Sequence, residues 1–325
     1  MTQSKLNQKS YAVARFGLLM ELDGGGTIDV TSYVKNIEGG LPKAESTKEQ
    51  MGNYNQPKHH LATRSVEPIT VELGLTQANP IVKVVEDIIN KRSHVRVSGH
   101  IFHADANHKV RFEQEFKRAI ITEIGFPALD ATGKDLAMIK LKMQPETASF
   151  DVGGGQDLPM GVMRMQKVWQ NNSFRLDLEC NGTKYDCDAA TKIDALTIQL
   201  GAKPVQRGHF LLPEYMHSQV KMPRLSVHVP LFHANSLIGW FRKVANTELG
   251  AADPDAKVDG SGKSSGYEAT GCLTFLDTTT KKELYHITLE GVAPEQMTIT
   301  KSEGGAATLK TCKFDFYVNN LLLGR

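Results

Sequence analysis

The stretch HVPLFHANSLIGWFRKVAN (residues 228–246) decides the fold, because an earlier stretch of the chain is similar to it. The earlier stretch is ELGLTQANPIVKVVEDIIN (residues 72–90), which lies 156 positions upstream. In both stretches apolar residues recur at spacings of three and four, and this spacing predicts a helix that packs through one face. Asn79 and Asn235 stand where each apolar series begins, and we expect them to be the N-caps of the two helices.

Similar segments occur in the same order on both sides of these helices. They are FGLLMELDGG with FRLDLECNGT (from Phe16 and Phe174), YVKNIEG with KIDALTI (Val34 near Ile193 and Ile37 near Leu196), SGHIFHADANHK with TGCLTFLDTTTK (Gly99 with Gly271), and LAMIKLKMQ with LKTCKFDFY. An ordered series of this kind is typical of an internal repeat. The sequence therefore predicts one domain that is duplicated in tandem.

The boundaries of the two halves follow from composition. The offset between matching segments rises from 156 to 172 across residues 247–268, which are rich in Gly, Ser, Asp and Lys and so indicate an inserted exposed loop. The segment DVGGGQDLPMG (residues 151–161) has the composition of a flexible linker. We predict a first domain over residues 1–152, a Gly-rich linker over 153–163, and a second domain over 164–325 that contains the inserted loop.

Outside the two helices the apolar residues alternate with polar ones. Ile139, Leu141 and Met143 follow this period of two near the end of the first half, and Phe314 and Phe316 follow it near the end of the second. Alternation predicts strands with one buried face. The expected fold class is mainly β with one helix per repeat, in two tandem antiparallel β-barrel or β-sandwich domains.

Charge and hydropathy exclude several classes of protein. The 325 residues carry 38 Lys and Arg against 36 Asp and Glu, without the concentrated basic charge of a nucleic-acid-binding protein. No apolar run approaches the roughly 20 residues that span a bilayer, and the N-terminal run FGLLM is too short for a signal peptide. We expect synthesis in a cytoplasm and no membrane partner.

Cysteines do not indicate a metal site. The four cysteines all lie in the second half, without the spacing of zinc ligands. Cys180 and Cys187 flank the hairpin-like NGTKYD, so their sulfurs could lie close together. A reducing compartment favours two thiols over a disulfide, and the sequence leaves the pairing open.

Catalytic and cofactor motifs are weak throughout the chain. The segment DGSGKSSG (residues 259–266) is similar to a phosphate-binding loop, but Lys257 stands where that motif requires glycine, and no buried strand precedes it. His100 and His103 point to opposite faces of a strand, which disfavours a shared metal. No Gly-x-Ser-x-Gly nucleophile motif occurs. We predict no catalytic residue, no cofactor, no metal and no enzymatic activity.

Two stretches resemble the tube proteins of contractile phage tails and related injection systems. NSLIGWFRKV (residues 235–244) is similar to that family's helix, in which Asn or Asp precedes Leu-x-x-Trp. AIITEIGFPALDATGKDLAMIKLKMQPETASF (residues 119–150) is similar to the family's final strands, which close on Pro-Glu. The resemblance implies a tandem tail-tube fold and a structural subunit of hollow rings, either in the tube or at the baseplate hub.

The same resemblance places contacts between rings in a long polar loop over residues 39–65 and in the matching segment 200–223. The candidate inter-subunit or inter-ring residues in these loops are Lys43, Glu45, Lys48, Tyr54, Gln56, Lys58, His59, Arg207, His209 and Tyr215. A long segment inside a compact domain is usually functional when it is ordered.

The implied partners are further copies of this chain, the sheath, and adjacent tube or baseplate proteins. Because each half supplies one wall segment, three chains would form a pseudo-sixfold ring, and a hexamer that stacks its halves along the axis is the alternative. DNA or effector cargo would pass through the lumen without specific binding. A different class, a two-module β-sandwich that binds carbohydrate, would need exposed aromatic residues along a groove, yet aromatic residues form only 7% of the chain.

Overall fold

The structure is a computed structural model of the chain. The structure describes residues 15–23, 25–50, 52, 57–76, 79–91, 95–159, 169–208, 212–246, 268–300 and 310–324. Most of these residues lie in antiparallel strands, and the mainly β fold class with one helix per repeat is confirmed. The segment DGSGKSSG (residues 259–266), for which we predict no phosphate binding, lies outside the described residues.

The first half supplies eleven strands and one helix. They are β1 (Arg15–Leu22), β2 (Thr27–Asp29), β3 (Val34–Glu38), β4 (Pro42–Glu49), β5 (Lys58–Val66), β6 (Ile69–Gly74), α1 (Pro80–Lys91), β7 (Arg96–Ala104), β8 (Val110–Phe126), β9 (Leu129–Asp130), β10 (Met138–Gln144) and β11 (Thr147–Val152). The main sheet has the order β2-β1-β7-β8-β10-β6-β3, and β11 pairs with β8 beyond the end of β10. A 3-10 turn at Thr31–Tyr33 precedes β3.

The second half supplies ten strands and one helix. They are β12 (Phe174–Cys180), β13 (Thr183–Tyr185), β14 (Lys192–Ile193), β15 (Leu196–Gln199), β16 (Ala202–Val205), β17 (Glu214–His217), β18 (Leu225–Pro230), α2 (Asn235–Asn246), β19 (Ala269–Leu276), β20 (Glu283–Ile299) and β21 (Thr311–Gly324). The sheet has the order β13-β12-β19-β20-β21-β18-β14. This order repeats that of the first sheet, strand for strand.

Strand registers agree with the sequence repeat in detail. Met20 pairs with Gly99 in the first sheet, and Leu178 pairs with Gly271 in the second. Glycine is required at position 99 because a Cβ there would lie 2.2 Å from the Leu19 carbonyl oxygen. Both glycines also follow a register shift against the next strand, so the two halves share an irregularity as well as an order.

One sequence alignment is wrong by three residues. The sequence aligns Ile37 with Leu196, at an offset of 159. Ile37 pairs with Val71, however, and Ile193 pairs with Val227, so Ile37 corresponds to Ile193 at the offset of 156 found for the helices. The apolar period of two tolerates a slipped alignment, whereas the hydrogen-bonded register does not.

The two helices cover the core as predicted but begin differently. Asn79 is the N-cap of α1, since its Oδ1 accepts a hydrogen bond from the Ile81 amide at 3.1 Å. The N-cap prediction for Asn235 is wrong. The helix α2 already includes Asn235, and the Ala234 carbonyl accepts the first helical hydrogen bond, from Ile238. Pro80 fixes the first helical residue in α1, and α2 has no proline at that position.

Candidate assembly interface

The two main sheets exchange edge strands. The strand β15 of the second half pairs with residues 123–126 of β8 in the first sheet, beyond the point where β7 ends. In return, β9 of the first half pairs with β14 of the second. Backbone hydrogen bonds therefore continue from one half to the other, and we call this contact the internal junction.

A side chain adds to the internal junction on the helix side. The Asn90 amide at the end of α1 donates to the Leu323 carbonyl of β21 at 2.6 Å and accepts from the Leu323 amide at 2.8 Å. Leu323 belongs to the second half, and its side chain is buried. The helix of one half is thus attached to the last strand of the other.

One buried carboxylate and two arginines lie beside β17 of the second half. Glu146 is buried and accepts hydrogen bonds from Arg96 and from Arg118, the latter at 2.8 Å. Arg96 also donates to the Tyr215 carbonyl at 3.1 Å. Glu146 is the Glu of the Pro-Glu pair, so this pair positions an arginine against the neighbouring half.

The first predicted loop is a β-hairpin, which we call the first arm. The strands β4 and β5 pair over residues 42–49 and 58–66, because the polar sequence still supplies a full backbone ladder. Five predicted contact residues lie on it with exposed positions: Lys43, Glu45, Lys48, Lys58 and His59. Tyr54 and Gln56 lie outside the described residues. Lys48 is opposite His59, and the neighbouring His60 lies 3.1 Å from Glu49, so the arm carries charged groups of both signs.

The second arm consists of β16 and β17 and is shorter. Tyr215 pairs with Pro204, and burial raises the pKa of the Tyr215 phenol. Arg207 is exposed and forms an ion pair with Glu214 at 3.0 Å. His209 lies outside the described residues. Of the predicted residues on this arm, Tyr215 lies at the internal junction and Arg207 does not contact the first half in any described interaction.

Part of the predicted linker packs on the first half. Leu158 is buried in a small apolar cluster with Phe102, Ala104 and Val110. Its amide donates to the His108 carbonyl at 2.7 Å, and Lys109 forms an ion pair with Asp157. The chain therefore packs on the first half up to Leu158.

Residues that are buried at the internal junction have exposed equivalents at the two outer sides of the chain. Phe126 is 3% exposed, whereas its equivalent Ile299 in β20 is 48% exposed. Leu323 is 5% exposed, whereas its equivalent Phe150 in β11 is 58% exposed. Each half therefore has one side that is covered within the chain and one apolar side that is not covered by described residues.

Titratable side chains form pairs and not a metal centre in the described chain. His100 lies 2.9 Å from Glu113, and burial lowers the pKa of His103. Among the described residues, no three His, Cys, Asp or Glu side chains are arranged to hold a metal ion. The stretches covered by the structure also contain no helix that is long and apolar enough to cross a membrane.

All four cysteines lie among the described residues, and none of them is in a disulfide. Cys180 and Cys187 are both buried, and burial raises the pKa of the Cys187 thiol to about 12. The structure therefore has two thiols where the sequence left a disulfide open.

Sequence reasoning missed the internal junction. Of the residues that form it, Tyr215 is a predicted contact residue, whereas the β8 edge at 123–126, β15, Asn90 and Arg96 are not. The apolar alternation in TASFDV (residues 147–152) indicates an apolar surface at Phe150, but this surface is on the outer side of the chain and not at the internal junction. Nothing in the local sequence indicates that β15 leaves its own sheet.

Comparison with known proteins gives one family match. The family of the T4-like virus tail tube protein gp19 matches residues 28–149. No curated protein matches the chain significantly.

Several solved structures are similar to about half of the chain. A chain of the anti-feeding prophage (AFP) baseplate is 13% identical, with 45% of this chain and 98% of that chain covered and a TM-score of 0.40. A chain of the PVC sheath-tube complex, from an extracellular contractile injection system in its extended state, is 14% identical, with 47% and 99% covered and a TM-score of 0.36. Hcp1 from Flavobacterium johnsoniae is 11% identical, with 46% and 94% covered and a TM-score of 0.26.

Proposed function

We propose that this protein is a structural subunit of a contractile tail or injection system. The proposal starts from the match of residues 28–149 to the family of the T4-like virus tail tube protein gp19. The protein assembles into hollow rings that form the tube or a tube-like ring at the baseplate hub. The proposed division into two tail-tube domains, at about residue 160, follows the repeated strand order.

The observation that carries the proposal is the internal junction. Two halves with the same strand order already join edge to edge through β8 and β15. An exposed sheet edge invites pairing with another chain, and a closed ring removes every such edge. Repetition of one junction around an axis is the simplest way to satisfy the edges that remain.

The favoured ring contains three chains. Each chain supplies two wall segments, so three chains give a pseudo-sixfold ring, and cyclic closure with one repeated heterologous contact requires no second kind of interface. A hexamer with its halves stacked along the axis is the alternative.

The proposed partners are the sheath and adjacent tube or baseplate proteins, which would contact the two arms. Lys43, Lys48, Lys58 and His59 would act on the first arm, and Arg207 on the second. DNA or effector cargo would pass through the lumen without specific binding. The chain would be synthesised in the bacterial cytoplasm and assembled there into a tail or injection particle.

Electron microscopy of the purified protein tests the function, and native mass spectrometry of the particles tests the stoichiometry. We expect rings or tubes with a central channel, and a ring mass of three chains. Monodisperse single chains at all concentrations would contradict the structural function. Rings of six chains would contradict the trimer and leave the tube function intact.

A further inference from the structure

We propose that chains join head to tail by repeating the internal junction, with residues 296–298 of β20 in one chain pairing with residues 41–43 of the next. The proposal rests on the ring-forming function and adds the partner, a second copy of this chain, together with the register of the contact. We call this contact the external junction.

One chain contributes the β20 edge to the external junction. Gly125 of β8 pairs with Lys140, and Thr298 of β20 pairs with Lys313, so residues 123–126 correspond to 296–299. In β8 this edge is occupied by β15. In β20 the preceding neighbour β19 ends its pairing at Val292, and no strand within the described residues pairs with 296–299 on that side.

The next chain contributes the base of its first arm. Lys43 pairs with Ser65, and Gln199 forms a bridge with Lys221, which fixes the same offset of 156 for both partners. Residues 40–43 therefore correspond to β15, the strand that pairs with β8 inside the chain. No strand in the described part of the chain pairs with the outer edge of residues 41–43, which are exposed.

The hydrogen-bonding directions also agree. The Leu41 carbonyl accepts from the Glu67 amide, so Leu41 faces its own hairpin and the next residue, Pro42, faces outward. Gly40 is already buried beside Ile69 and Gln114 of its own half, so the open edge begins at Leu41. In the second half, the Gln199 amide bonds to Lys221, and the next amide, that of Leu200, bonds outward to Thr122 of β8. The outward backbone groups at the base of the first arm therefore alternate in the same way as those with which β15 pairs with β8.

The apolar side chains left exposed are those that the external junction would cover. Ile299 is the equivalent of the buried Phe126, and Phe150 is the equivalent of the buried Leu323. Since α1 covers the Leu323 end of β21, α2 of one chain would come to lie over β11 of the next. Backbone pairing and apolar burial therefore point to the same occupant.

Pro42 makes the external junction weaker than the internal one. Its equivalent, Ile198, has a backbone amide that faces β8, and proline has none. The external ladder loses one donor at this position. Rings should therefore separate into single chains before the two halves of a chain come apart.

A disulfide trap tests the register. Gln296→Cys with Lys43→Cys places two cysteines at a non-hydrogen-bonded pair, where Cα atoms lie about 4.5 Å apart and a disulfide can form. The matched control is Glu123→Cys with Gln199→Cys, the same pair at the internal junction. A second control, Gln296→Cys with Ala44→Cys, is shifted by one residue and places the two sulfurs on opposite faces.

We expect the matched external pair to give covalent dimers and trimers on oxidation, at least about tenfold more than the shifted pair. The internal pair should give a cross-linked single chain only. If wild-type rings form but the matched pair gives no covalent oligomer, or no more than the shifted pair, the external junction is wrong and the ring function stands. If no ring forms, both proposals fall.

Discussion

Asn90 binds both backbone hydrogen-bonding groups of Leu323, at 2.6 Å to its carbonyl and 2.8 Å to its amide. The two residues are 233 positions apart in sequence and belong to different halves. The amide side chain of Asn90 therefore forms the hydrogen bonds that a neighbouring strand would form beside the end of β21. The two halves are joined by side-chain as well as backbone contacts.

Asn90→Ala should lower the free energy of unfolding by about 1–3 kcal/mol, because it removes two hydrogen bonds and leaves the Leu323 backbone groups without this partner. Urea unfolding at concentrations where the protein is a single chain measures the change. Lys83→Ala, at an exposed position of the same helix, is the control and should change stability by less than about 0.5 kcal/mol. Equal effects of the two variants would show that the Asn90 contact does not hold the halves together.

Phe150→Asp and Leu323→Asp should separate assembly from folding. Phe150 is exposed, so its replacement should leave the melting temperature of the single chain nearly unchanged while ring formation is lost. Leu323 is buried at the internal junction, so an aspartate there should lower the free energy of unfolding by several kcal/mol and lower the melting temperature. Thermal melting and electron microscopy are read together. Rings of normal yield from Phe150→Asp would remove β11 from the interface.

Asp105 should make the fold sensitive to acid. The backbone amide of Lys109 and the guanidinium of Arg111 hold the pKa of this carboxyl below its ordinary value of 3.8, although burial opposes the shift. Because the pKa of Asp105 is lower in the folded state, its ionised form stabilises the fold at every pH above the ordinary pKa. This stabilisation is lost as the pH falls through the folded-state pKa. The free energy of unfolding should therefore decrease below about pH 4, and Asp105→Asn should reduce this slope. Parallel curves for the two proteins would exclude Asp105 as a cause.

Cys187 should resist alkylation in the folded chain. Its thiol is buried with a pKa raised to about 12, so at pH 8 only about one molecule in ten thousand carries the reactive thiolate. Cys272 is half-buried and should react first with iodoacetamide. Peptide mass spectrometry with and without denaturant measures both sites. Labelling of Cys187 as fast as that of Cys272 under native conditions would contradict the buried environment.

The sequence was sufficient to predict the repeated elements because they are local. The apolar spacing in α1 and α2 and the alternation in β10 and β21 each reflect one buried face, and one face leaves a period that can be counted. The start of α2 differs from the prediction by one residue. An Asn before an apolar series is the N-cap only if the first helical hydrogen bond is not already accepted by the carbonyl of the residue before it.

The junction could not be predicted because it depends on contacts far apart in sequence. The pairing of β15 with β8 joins Leu196 to Phe126, and both segments would be equally well patterned for an edge within their own halves. The first arm was predicted as a loop because its residues are polar on both faces, and a hairpin without a buried face has no hydropathy period.

The pairing of β15 with β8 inside one polypeptide changes the kinetics of assembly. An intramolecular contact forms at a rate that does not depend on protein concentration, because a covalent link sets the effective concentration of its two sides. In the proposed ring, half of the contacts would be complete when each chain has folded, and each avoided association step saves the lost translational and rotational freedom of one body. The nucleation rate of a three-chain ring would then depend on a lower power of the protein concentration than that of a ring of six separate domains. Rings would therefore form at lower protein concentrations.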